Sequence, residues 1–191
     1  MTIGRQAESK VDSRRVYAIA REVLGPLAKE LGFRREKAML SWTRPYGPQH
    51  LTFWFQVSQH GWDTYAGSQF TIELQLSPNP EVGTGLRRAR LPTLLTDADR
   101  EEVRRRENAV ISRLVLPPPS YLQWLGSASL EVASSYLRQF EQVGEPYYPG
   151  KDIWFRYASE ADVHAWCEFI KLKLPLAIEK FIASAAPDRR A

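Results

Sequence analysis

Along Leu51, Phe53, Phe55 and Val57 every second residue is apolar, while Thr52, Trp54, Gln56 and Ser58 fill the alternate positions. A period of two is that of a half-buried strand. Phe70, Ile72, Leu74 and Leu76 alternate in the same way with Thr71, Glu73, Gln75 and Ser77. The segment between them, His60 to Ser68, carries Gly61, Asp63 and Gly67, so the pattern predicts an antiparallel pair joined by a fairly long loop. Alternation this regular sets one face against a core and leaves the other for water or a partner, unlike the continuous apolar runs of a parallel sheet.

A period near 3.6 takes over at both ends of the chain. Val16, Ile19, Ala20, Val23, Leu24, Leu27 and Leu31 form one helical stripe that Gly32 stops, with Pro26 inside it. Val163, Trp166, Cys167, Ile170, Leu174, Ala177, Ile178 and Phe181 form another, introduced by Ser159 and Asp162 at capping-box spacing and interrupted by Pro175. Each proline removes one helical hydrogen bond, so both helices are expected to kink. Phe33 to Arg44 reads as a first strand closed by a Pro45 to Pro48 turn, and Asp152 to Ala158 as a fourth.

Thr96 with Asp99 opens a charged helix that reads as the most solvated one, stopped by Pro117 to Pro119. Tyr121 to Gly126 gives one helical turn, and Ser129 to Val143 a helix expected to bury Leu130, Ala133, Leu137 and Phe140. The fold class that follows is α+β: an antiparallel sheet of three to five strands with kinked amphipathic helices packed on one face. Residues 1–11 and 186–191 read as flexible tails around a single domain, 12–185.

Composition narrows the function classes. A chain of 191 residues buries roughly 70% of its extended surface, enough for a core without staples. A single Cys excludes an internal disulfide, and no charged-then-apolar leader opens the sequence, so a cytoplasmic location is expected. No apolar run is long enough to span a membrane. The net charge of +4 permits acidic partners without demanding them, because 22 carboxylates are interleaved with the cations.

Candidate chemistry is sparse. His50 and His60 bracket the second strand, which holds them about 30 Å apart if it is straight. His164 with Glu160 and Glu168 has i, i+4 spacing, but one helix offers too few ligands for a metal, so no metal or cofactor is assigned. Cys167 lies in an apolar stripe and reads as a small core hydrophobe. No glycine-rich phosphate loop or nucleophile elbow is present, and no catalytic residue is assigned.

Two features rise above this background. One is the polar sheet face of Trp54, Gln56, Glu73 and Gln75, which Trp62 and Tyr65 of the neighbouring loop extend. A Trp there is covered either by the chain itself or by a partner. The other is the arginine-rich stretch with Arg87, Arg88, Arg90, Arg104, Arg105 and Arg106, where Asp97, Asp99, Glu101, Glu102 and Glu107 invite intrahelical pairing instead of phosphate binding.

The ordered set Leu31-Gly32-Phe33, Trp42-Thr43-Arg44, Phe55-Gln56-Val57-Ser58 and Phe70-Thr71-Ile72-Glu73-Leu74 resembles a group of uncharacterised bacterial proteins classed as a domain of unknown function. The likeness covers about the first 80 residues. It implies an α+β fold and a bacterial origin, and it brings no activity.

The reading that follows is a non-enzymatic interaction protein that holds another protein on the polar sheet face, for instance as a toxin-neutralising partner; a homodimer is compatible with it. Nucleic-acid binding through the arginines is the alternative, and a hydrolase whose site converges from distant segments is a third.

Overall fold

The computed structural model describes residues 10–184 apart from positions 38 and 86. Residues 1–9 and 186–191, expected in tails, lie outside the described residues, whereas Val11 is buried in the core.

The strands are β1 (Arg34–Arg35), β2 (Leu40–Tyr46), β3 (Gln49–Val57), β4 (Ser68–Ser77), β5 (Arg87–Arg90) and β6 (Phe155–Tyr157). They form one antiparallel sheet in the order β1-β2-β3-β4-β5, and β6 also pairs with β4. β3 and β4 are the predicted pair. Their register sets Trp54 opposite Glu73, Phe53 opposite Leu74 and Thr52 opposite Gln75. β5 lies along residues 73–76 of β4 and β6 along 68–70, so two short strands share one edge end to end.

β2 runs through Pro45, and the turn shrinks to Gly47-Pro48, with Tyr46 opposite Gln49. Gly47 takes a positive φ of 56° at the first central position, which suits a two-residue hairpin.

The five helices are α1 (Ser13–Glu30), α2 (Asp97–Ile111), α3 (Pro119–Ala128), α4 (Leu130–Leu137) and α5 (Glu160–Ala183). α1 and α5 pack on each other and over the inner sheet face, where Leu51, Phe53, Phe55, Phe70, Ile72 and Leu74 are buried. Tyr17 meets Phe55 edge-on at 5.9 Å, and Phe155 lies 4.9 Å from Trp166. Both helices continue through their prolines. Every residue of the predicted α5 stripe is buried, Cys167 included.

α2 has the predicted capping box, with Thr96 and Asp99 bonding reciprocally. It is not the most solvated helix. It runs antiparallel beside α5, tied by Lys173 to Asp99 at 2.7 Å and Arg113 to Asp162 at 2.5 Å, and it buries Val103, Val110 and Ile111. Charge density misled here because several of the charges pair with neighbours and leave the apolar residues between them facing inward.

α3 and α4 correct the sequence reading further. Pro119 starts α3 instead of ending the helix before it, since a proline at the first helical position gives up an N–H that has no partner anyway. α4 ends at Leu137 and continues as a 3-10 turn, Arg138–Phe140. The residues expected to be buried are not: Leu130 is 82% exposed and Leu137 38%.

Candidate functional site

Most of the outer sheet face is shielded from water. Ser41, Thr52, Trp54, Thr71, Glu73 and Gln75 are all buried, Trp54 with 3% exposure. The Arg88 guanidinium lies 5.4 Å from the Trp54 ring and its Nε donates to Glu73 Oε1 at 2.5 Å. Gln75 donates to the Glu81 carbonyl at 2.6 Å and accepts from the Gly83 N–H at 2.9 Å, so the turn before β5 folds onto the face. Thr43 and Thr52 share a hydrogen bond of 2.9 Å. Gln56 stays half-buried. These residues do converge, as the register required, but β5 and the turn before it cover Trp54, Glu73 and Gln75, which removes the motivation for a docking surface there.

Nor do the arginines form one patch. Arg87, Arg88 and Arg90 stand on β5, and Arg104, Arg105 and Arg106 on α2. Arg90 pairs with Asp152 and lies 5.0 Å from the Trp154 ring. Arg104 holds Glu101 through Nε and Nη2 at 2.8 and 2.6 Å, and Arg105 and Arg106 both hold Glu102. The hydrogen bond from Arg105 outweighs the opposing effect of burial, and with the further bond from Arg106 the Glu102 pKa falls to about 2. Pairing of this kind leaves few cations to meet phosphates.

The loop between β3 and β4 is where the structure gathers something the sequence did not announce. Asp63 and Gly67 exchange backbone hydrogen bonds of 2.8 and 2.9 Å, pinching the loop. Gly67 has φ +71°, and a Cβ there would overlap the Tyr157 carbonyl oxygen. Inside the pinch, Asp63 Oδ1 accepts from the Tyr65 and Ala66 N–H groups at 2.8 and 2.7 Å.

The same carboxylate reaches outward. Tyr136 of α4 donates to Oδ1 at 2.7 Å and Tyr121 of α3 to Oδ2 at 3.0 Å. Burial pushes the Asp63 pKa up, but the four hydrogen bonds outweigh it and hold the carboxyl below its usual range. The Tyr136 hydroxyl is pushed up, first by burial and then by the carboxylate it serves. Asp63 is therefore an anion held by four donors, three on Oδ1 and one on Oδ2, not a free general base.

At the other end of this helical pair, Asn108 and Val143 bond in both directions, at 2.9 and 2.7 Å. Residues 119–140 thus form an arm, fastened at its base by Asn108 and at the loop by Asp63. Among the described side chains of α3 and α4 none is buried. The arm turns outward Leu130 (82% exposed), Trp124 (66%) and Val132 (46%), with Leu116 at its foot.

Beneath the arm lies a polar cavity of about 480 Å³ between the loop, α4 and the β4–β6 edge. Gln69 and Arg156 floor it, and Ser135 and Tyr136 of α4 wall it together with Gln139 of the following 3-10 turn. Arg156 approaches Glu107 at 3.6 Å, and Glu107 also accepts a hydrogen bond from Tyr147. Burial raises the Glu107 pKa despite Tyr147 and Arg156.

Trp62 turns toward Tyr157 at 5.9 Å and joins the core periphery, while the Tyr65 ring lies tilted against Tyr121 at 4.9 Å. Asp63, Tyr121, Tyr136 and Arg156 were not singled out from the sequence. The sole local hint was an Asp between glycines in a long hairpin loop.

Fold and arm define an α+β protein with an appended helical pair. Comparison with protein-family models, curated proteins and solved structures finds no match to this chain. Among the described residues no helix is long and apolar enough to cross a membrane, and no group of His, Cys, Asp and Glu is placed to hold a metal.

Proposed function

We propose that this protein is a non-enzymatic interaction module of the cytosol, which docks another protein on the outer surface of the α3–α4 arm. The observation that carries the reading is that Trp124 and Leu130 stand 66% and 82% exposed on helices that bury none of their described side chains. Large apolar side chains gathered on one exposed element mark interaction sites, and Trp is enriched at binding hot spots. The surface is also poor in charge: from Leu114 to Leu137 Glu131 is the one charged residue, against 25% over the chain. Charge-depleted apolar patches are what interface cores are made of. The sheet face with Trp54 is set aside because the chain itself covers it, Trp54 being buried against Arg88.

The test is photo-crosslinking in the cells that make the protein. A crosslinking residue at position 124 or 130 is expected to trap a discrete protein, and one at Leu172, equally exposed on α5, is not. Equal capture at all three positions, or none at the arm, overturns the reading.

A further inference from the structure

We infer that the cavity beneath the arm is a binding site for a small, uncharged, hydroxyl-rich ligand of about monosaccharide size. Its walls present unspent hydrogen-bonding capacity: among the described residues, the side-chain amides of Gln69 and Gln139 and the hydroxyl of Ser135 have no protein partner. Arg156 donates to the Ala66 carbonyl at 3.4 Å, and its Nε faces Glu107 Oε1 at 3.6 Å. Each amide offers one acceptor and two donors, the complement of a hydroxyl, which both gives and takes. A ligand with hydroxyls on several sides would pair with two amides and a hydroxyl that have no protein partner.

Local charge fixes the class. Arg156 is balanced by Glu107, and Asp63 stands in the wall as an anion committed to four donors. An anionic ligand would be repelled by Asp63 while Arg156 already faces Glu107, and a cationic one would compete with the Tyr121 and Tyr136 hydroxyls for the carboxylate. A volume near 480 Å³ lies within the range of small-molecule sites and exceeds what one or two waters fill.

The experiment is saturation-transfer NMR on the full chain with glucose, ribose and myo-inositol as neutral probes and gluconate as the charged one. Transfer from at least one neutral probe is expected, weakening about tenfold or more in the Q69A/Q139A double variant, as two amide hydrogen bonds would dictate. S135W, which enters the cavity from an exposed position, is expected to abolish it with an unchanged melting temperature. No transfer from any neutral probe, transfer from gluconate alone, or transfer undiminished in both variants overturns the inference. Because Trp124 and Leu130 lie outside the cavity lining, changing them is expected to leave the signal intact, which separates this site from the protein-docking surface.

Discussion

Tyr136 Oη lies 2.7 Å from Asp63 Oδ1 although 73 positions separate the two residues in the chain. That contact joins the arm to the sheet. With Tyr121 on the other oxygen, one carboxylate orients both helices of the pair. Hydrogen bonds to a charged acceptor are the stronger kind, so a few of them can hold an arm that buries little.

Asp63→Asn keeps one acceptor and loses the charge, so the arm is expected to loosen by about 1–3 kcal/mol while the sheet stays intact. Hydrogen exchange should show lost protection in residues 119–140 and unchanged protection in β3 and β4. Uniform loss across both regions would mean that the arm and the sheet unfold as one unit.

The same carboxylate predicts a pH dependence. Its folded pKa lies below the ordinary value, so its contribution is fully present above the unfolded pKa and is lost as pH falls through the folded one. Arm protection is therefore expected to be flat from neutral pH down to about pH 5 and to fall only below about pH 4. A transition near neutrality would point to another group.

Gly67→Ala is expected to cost about 2 kcal/mol or more, since the residue has φ +71° and its Cβ would collide with the backbone of β6. Urea denaturation reads the loss. A change of a few tenths would show that β6 can move aside.

Arg88→Ala leaves the buried Glu73 without its near partner and uncovers one side of Trp54. Because Arg88 itself is 43% exposed, the expected loss is about 1–2 kcal/mol, below that of a fully buried pair. The Trp54 emission should shift to the red. An unshifted spectrum would mean that other groups seal the ring.

Cys167 should resist thiol reagents in the native protein. It is buried, and burial pushes its pKa up to about 12. Reaction is expected on unfolding, at a rate that tracks denaturant. Rapid labelling of the native form would contradict the packing of α5.

The sequence by itself determined the elements that obey a period: β3 and β4 with their shared inner face, the α1 and α5 stripes, and the two capping boxes at Thr96 and Ser159. Those follow from spacing, because alternation by two or by 3.6 puts apolar groups on one side whatever lies beyond. It also determined Cys167 as core.

What the tertiary structure decided was where each face went. Periodicity cannot tell a face that meets water from one that meets its own chain, so the Trp54 face read as open although Arg88 and the turn at Gly83 close it. In α4 the same ambiguity worked in reverse, and a stripe that read as buried stands in solvent. The meeting of Asp63 with Tyr121 and Tyr136, and the cavity over Arg156, depend on segments up to 90 or so residues apart being brought to one sheet edge. Hydrogen bonds between single side chains carry no period, and only the folded chain could reveal them.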